Sequence, residues 1–277
     1  MPHTYGPKVQ NMRIIVPIKQ VPETSNVKMD PETGTMIRTG VEAIVNPLDL
    51  YAIEAAVRLR EKVGGRVTTI SMGPPGAEKA LREAIAMGCD DGMLLSDRRF
   101  AGSDTWATAY ALSQGIRKLG EVDLIICGER ATDGDTGQVG PGIASFLDLP
   151  LATYVSRIHE LSAEGVRVSR LVEGGIEVLW LSLPAVLTVV KEIAYPRLPT
   201  LRDKQRAKRV DLPIWTPDDI EAKPDWIGLE GSPTRVVKIA RPQVARQGER
   251  ILVKDPEDVD RAAARFIEFL RERQLWA

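Results

Sequence analysis

Histidine and cysteine are nearly missing from this chain, with two of each in 277 residues. His3 lies in a polar start and His159 in a presumed β-hairpin. A Ser–His or Cys–His nucleophilic centre and a histidine-built metal site are therefore excluded as leading readings. Cys89 and Cys127 fall in different apparent elements and form no CxxC pair. That leaves no disulfide framework and fits a reducing, cytoplasmic setting. Aromatics are only 5% of residues, and no apolar run approaches the roughly 18 residues needed to span a bilayer, so direct membrane insertion is not expected. A net charge of −1 gives no global field towards nucleic acid. Neither GxxxxGK[ST] nor GxGxxG occurs, which sets aside the two commonest phosphate-loop classes.

What is present centres on residues 127–144. Val122 to Cys127 is a short isoleucine-rich run of the kind that forms a buried parallel strand. Ile143, Ala144, Phe146 and Leu147 then recur at helical spacing until Pro150. Between them lies a Gly- and Asp-rich loop, in which Asp135 or Thr136 is expected to cap the helix. Gly134, Gly137, Gly140 and Gly142 let backbone approach a ligand. The positive end of the helix dipole suits a phosphate there, although a tight turn explains such a loop equally well. Asp133 and Asp135 could serve acid–base chemistry or Mg²⁺, but capping or ribose contacts are their commoner duty.

Strand and helix patterns alternate along the first half. Strands are expected at 13–21, 66–72, 92–96 and 122–127, and helices after Asn46, through Ala80–Ile85 and over 104–119. Asn46 reads as an N-cap with Pro47 in the first helical position and Asp49 in the first turn. Met29 to Gly40 has the turn chemistry of a hairpin or excursion, and residues 1–11 read as a disordered start. The pattern predicts a parallel sheet with helices on both faces. Loops after Pro17, Met72, Ser96 and Cys127 should converge on one crevice at the strands' carboxyl ends.

Beyond Pro150, segments at 153–161, 165–171, 175–183 and 185–190 read as β-hairpins. Residues 197–209 are basic, with a solvated face or the docking of an acidic partner as the two readings. Eight prolines and glycines across 211–253 suggest an extended arm. Asp255-Pro-Glu257 then opens a last helix with a stripe of Val259, Ala262, Ala263, Phe266, Ile267 and Leu270. Residues 12–195 are thus expected to form the α/β domain with its hairpin region, and 196–277 a partner-recognition loop, arm and docking helix.

Several separated motifs share one order. Val16-Pro-Ile-Lys-Gln-Val-Pro22, Asn46-Pro-Leu-Asp49, Ser71-Met-Gly-Pro74, Asp133-Gly-Asp-Thr-Gly-Gln-Val-Gly-Pro141 and the stretch Val172 to Thr188 resemble the β subunit of electron transfer flavoproteins. Leu198-Pro199 followed by Ala207-Lys-Arg209 is similar to that family's partner-recognition segment. The resemblance implies a Rossmann-like domain that pairs with an α subunit and holds an adenine nucleotide at Pro17, Asn46, Pro47, Leu48, Asp49, Met72, Gly134, Asp135, Thr136, Gly137, Gln138, Val139, Gly140 and Pro141. The motif is closest to members whose nucleotide is FAD, linked to NADH and electron bifurcation; AMP is the alternative. Glu129 and Gly137 depart from the family's usual residues. By the same resemblance, Leu198, Arg202 and Arg206 would dock a redox partner: an acyl-CoA-type dehydrogenase, a ferredoxin-like carrier or a quinone oxidoreductase. No residue is assigned a catalytic role, and any oxidoreductase activity with NADH would belong to the heterodimer. A non-redox adenine-nucleotide module is the competing reading, and it leaves the hairpins, basic loop and arm unexplained.

Overall fold

Alternating side chains set the layers. In β1 (Met12–Pro17), Ile14 and Val16 enter one hydrophobic cluster and Ile15 the other, so both faces of the strand need covering. The computed structural model describes residues 11–23, 43–237 and 249–276. The excursion expected over 29–40 lies outside the described residues, as do residues 1–10 of the polar start. A short antiparallel pair, β2 (Gln20–Pro22) and β3 (Ala43–Val45), leads to α1 (Asp49–Val63). The alternation continues through β4 (Gly65–Met72), α2 (Glu78–Ala86), β5 (Asp91–Leu95), α3 (Thr105–Leu119), β6 (Leu124–Gly128) and α4 (Val139–Leu147). After these come β7 (Leu151–Leu161), β8 (Gly165–Val172), β9 (Gly175–Ser182), β10 (Ala185–Val189), α5 (Leu201–Ala207), β11 (Ile214–Trp215) and α6 (Pro256–Glu272).

Among the described residues one nine-stranded sheet results, in the order β11-β5-β4-β1-β6-β10-β7-β8-β9. It is parallel from β11 to β7 and antiparallel beyond. The buried faces of α1 and α2 pack on one side, with Ile53, Ala56, Leu81 and Ile85 against Ile14 and Val16. Those of α3 and α4 pack on the other, with Ala109, Leu112, Ile116 and Ile143 against Ile15, Ile70 and Ile125. The chain runs outwards from β1 through β4 to β5, then returns to the far side of β1 as β6. That reversal opens a crevice above the carboxyl ends of β1, β4 and β6.

Two expectations are corrected. Residues 185–190 do not close a hairpin: β10 pairs in parallel with both β6 and β7, and all five of its residues are buried. An uninterrupted Ala-Val-Leu-Thr-Val run marks a central strand covered on both faces, whereas β9 at the end of the sheet is exposed along most of its length. Along β9, Ile176, Val178 and Trp180 face one side and are exposed. Nor do residues 211–232 form a loose arm. β11 adds a parallel edge to β5, and Ile220 and Ile227 are buried against the α3–α4 layer. Trp226 meets Trp106, Tyr110 and Phe146 at centroid distances of 5.1, 5.0 and 6.3 Å.

The first compact unit therefore extends to Val237. The second, from Lys238, holds α6. Asp255 caps it by accepting from the Asp258 N–H at 3.0 Å, with Pro256 next, as the sequence pattern requires. Val259, Phe266 and Phe269 on this helix are exposed.

Aromatic pairs contribute about 0.5–1.5 kcal/mol each beyond their area burial. Trp226→Ala should therefore destabilise the first unit by roughly 2–4 kcal/mol. Chemical denaturation monitored by circular dichroism measures this, and a loss below 1 kcal/mol would mean that residues 217–231 do not depend on the ring cluster.

Candidate functional site

A buried polar knot organises the crevice. Asn46 sits just before α1 and has no exposed surface. Its side-chain amide donates to the Asp49 carboxylate at 2.9 Å and to the Arg130 carbonyl at 2.9 Å, while its oxygen accepts from the Thr132 N–H at 3.1 Å. Asn46 thus ties the start of α1 to the loop after β6. The N-cap position falls on Leu48, which makes no side-chain cap, so the capping role expected for Asn46 is corrected to this cross-loop one. Asp49 also accepts from the Lys19 N–H at 2.7 Å, which fixes the chain leaving β1. A side chain at position 128 could not coexist with this arrangement. A Cβ on Gly128 would strike the Asp49 carboxylate and come within 3.0 Å of the Leu48 carbonyl.

Burial is the largest influence on Asp49 and raises its pKa from 3.8 to about 7. The bonds from Lys19 and Asn46 oppose the rise without cancelling it, and Lys19's charge opposes it too, while Asp133 adds to it. Close by, burial also pushes the Cys127 thiol up, as suits a small buried strand residue better than a reactive one.

The crevice has a volume of about 610 Å³. Of the residues expected to contact a ligand, Pro17, Asp49, Met72, Gly134, Thr136, Gly137, Gln138, Val139 and Gly140 line it. Asn46, Pro47, Leu48, Asp135 and Pro141 do not; Asn46 supports from behind. Asp135 has φ 56° and pairs with Arg130 at 2.8 Å, pointing away from a capping role. α4 begins at Val139 with Gln138 at the N-cap position and no side-chain cap, so neither Asp135 nor Thr136 caps it. Its first-turn N–H groups receive no capping side chain at the crevice wall, which is the arrangement an anion requires. Gly140 has a second reason to lack a side chain: a Cβ there would lie 2.6 Å from Thr188 Cγ2 on β10.

Several lining residues escaped the sequence reading. Lys19 at the end of β1 pairs with Asp133 at 2.7 Å across the mouth. The segment after β5 supplies Phe100, Ser103, Asp104 and Thr105. Thr105 Oγ1 donates to Gln138 at 2.8 Å, joining the starts of α3 and α4. Convergence of the strand-end loops was the available signal for this wall, and it is met by the loop after Ser96, Ser96 itself standing outside.

The residues expected to dock a partner separate into two kinds. Leu198 and Arg202 are exposed. Arg206 is turned inward and donates to the carbonyls of Ile85 at 2.6 Å and Cys89 at 2.9 Å, anchoring α5 to the end of α2. Among the described residues no cluster of three or more His, Cys, Asp or Glu is placed to hold a metal ion. No helix among them is long and apolar enough to cross a membrane.

A mainly parallel sheet with a crevice at its reversal point, walled by a glycine-rich loop and an uncapped helix start, defines a Rossmann-like α/β protein. Residues 33–220 match the electron transfer flavoprotein domain, and the chain belongs to that family. It is 50% identical over 239 residues to the electron transfer flavoprotein subunit beta of Thermoanaerobacterium thermosaccharolyticum, covering 86% of this chain and 91% of that one. It is 46% identical over 263 residues to Protein FixA of Azotobacter vinelandii, covering 91% and 93%. With the caffeyl-CoA reductase-Etf complex subunit CarD of Acetobacterium woodii it shares 43% over 265 residues, covering 95% and 100%. These likenesses support an electron-transfer role of the β-subunit type.

A carboxyl whose pKa is higher folded than unfolded binds its proton more tightly in the native state. The stability contributed by Asp49 should therefore fall as pH rises from about 4 to about 7 and be level above that. Subtracting the unfolding free energies of Asp49→Asn from those of the parent across this range isolates the slope from other carboxylates. A flat difference curve would mean that Asp49 titrates as an ordinary aspartate.

Proposed function

We propose that this chain is the β subunit of a heterodimeric electron transfer flavoprotein, and that the crevice holds FAD. One observation carries the reading. A single cavity joins an uncapped helix start, the Lys19 ammonium and a wall without side chains at Gly134 and Gly137. A Cβ added at Gly134 would meet nothing within 4 Å, so the loop leaves room beside the phosphate position. The volume falls within the roughly 300–1,000 Å³ usual for cofactor sites. The N–H groups of the first α4 turn would hold the diphosphate, Val139 would give an apolar wall, and Asp49 would sit beneath. The flavin, when bound, supplies reversible electron transfer, and the protein positions it and tunes its surroundings.

In this reading electrons pass between NADH or an acyl-CoA-type dehydrogenase and quinone-linked or ferredoxin-like acceptors, with bifurcation as the assembled activity. The name of the CarD relative, which places that protein in a reductase–Etf complex, supports such an assembly. The α subunit would receive α6, whose exposed Val259, Phe266 and Phe269 lie along one side. Leu198 and Arg202 would meet the external redox partner. AMP in a structural role is the second reading, favoured by the smallness of the residues needed simply to turn the loop.

Denaturing the purified heterodimer and quantifying its nucleotides decides between them. Two FAD without AMP per heterodimer is expected; one FAD with one AMP would leave a simple electron carrier. For the docking side, Arg202→Glu should slow reduction by an external dehydrogenase about three- to tenfold at low salt. The difference should vanish near 1 M salt, where charges are screened within about 3 Å. A salt-independent rate in both proteins would remove electrostatic steering by Arg202.

A further inference from the structure

Tyr195, Leu198 and Leu201 are 87%, 91% and 81% exposed within one short stretch. A segment so open to water is expected to be loosely held, yet its backbone is gripped from below by one carboxylate. The Glu54 side chain, on α1, is only 2% exposed. Its Oε2 accepts from the Arg197 N–H at 3.1 Å and from Arg197 Nε at 2.8 Å, and its Oε1 from Arg197 Nη2 at 3.2 Å. Oε1 also accepts from Arg58 Nε at 2.5 Å, and Arg58 Nη2 donates onwards to the Tyr195 carbonyl at 3.1 Å. The Arg197 guanidinium forks a second time onto Glu61, at 2.5 and 2.9 Å. Glu54, Arg58 and Glu61 follow at i, i+4 and i+7, so one face of α1 carries the whole clamp.

Burial opposes the ionisation of Glu54, but the bonds from Arg197 and Arg58 outweigh it and hold the carboxyl below its usual range. The ionised form therefore persists at neutral pH, with both oxygens engaged. Replacing such a cluster by apolar groups is often neutral or stabilising, so fold stability alone gives little reason to have it. It does fix the geometry of a segment in which neighbouring apolar side chains point to water. A preset segment loses less conformational freedom on association than a mobile one.

We propose that Glu54 is the positioning residue of a docking face formed by Tyr195, Leu198 and Leu201, through its bonds to the Arg197 N–H and guanidinium and, by way of Arg58, to the Tyr195 carbonyl. The partner is a redox protein with an apolar pocket rimmed by carboxylates, since Arg202, Lys204, Lys208 and Arg209 are exposed in and just beyond the following helix. This inference rests on the reading of residues 198–209 as a docking element and adds what holds that element in place.

The test uses the heterodimer, with an acyl-CoA-type dehydrogenase as the reducing partner, and compares Glu54→Gln, Arg197→Ala and Leu198→Ala. Each should raise the KM for the dehydrogenase about five- to tenfold while kcat, bound nucleotide and recovery of the α subunit stay unchanged. In Glu54→Gln the amide of Arg197, which donates to the carboxylate in the parent, should exchange hydrogen at least tenfold faster without any partner. The double variant Glu54→Gln/Arg197→Ala should shift KM no further than either single change, because both remove the same clamp. Should Glu54→Gln fold poorly, Arg197→Ala carries the comparison, since it keeps Glu54 paired with Arg58. A raised KM in Leu198→Ala with normal values in both clamp variants would overturn the role of Glu54 and leave the docking face standing. Unchanged KM in all three would remove the docking reading and the inference with it. Loss of the α subunit from the clamp variants would assign this face to the subunit interface and overturn the proposal.

Discussion

The need to satisfy buried polar groups beside the sheet's reversal point governs the arrangement around it. Asn46 and Asp49 are out of water, where an unpaired amide or carboxylate is expensive. Their partners come from three places: the chain leaving β1, the start of α1, and the loop after β6. None of those segments can shift without orphaning a donor or acceptor in the others. Gly128 is obliged to be glycine by the same knot, and the loop that leads to α4 is held at Arg130 and Thr132 before its glycines begin. The crevice is therefore shaped by what lies behind it as much as by its own lining.

How far the sequence reveals this varies with the kind of signal. The α/β alternation of the first half is carried by local periodicity, and β1, β4, β5 and β6 fall where apolar runs of the right length occur. Asp255 as the cap of α6 is equally local. Readings fail where a distant partner decides. β10 follows a short turn, like the hairpin strands before it, and only its uninterrupted burial between β6 and β7 distinguishes it. Residues 211–232 carry the prolines and glycines of an arm, but Ile220, Trp226 and Ile227 find a surface on α3 and α4. At the site, the loop's composition marks the place while its conformation does not. A left-handed Asp135 and a helix that begins at Val139 put the expected caps outside capping range. Lys19 is invisible as a site residue because its pairing with Asp133 spans more than a hundred positions.

α1 connects two regions that have no contact in sequence. Asp49 in its first turn lies beneath the crevice, and Glu54, about 7.5 Å further along the axis, holds Arg197 directly and Tyr195 through Arg58. A 15-residue helix packed on β1 and β6 is stiff on this scale. The crevice and residues 195–197 are consequently referenced to one rigid body, and the separation between them is set by helix geometry more than by loop conformation.

The ribbon that ends the sheet bears on the life of the chain before assembly. Among the described residues β9 is an edge strand, and Ile176, Val178 and Trp180 stand in water along one of its faces. An uncovered strand edge flanked by exposed apolar side chains pairs readily with other edges. Synthesis ahead of any covering surface would leave the chain competing between productive assembly and self-association. Its usable amount would then follow the supply of whatever covers that ribbon, by mass action on the folded chain.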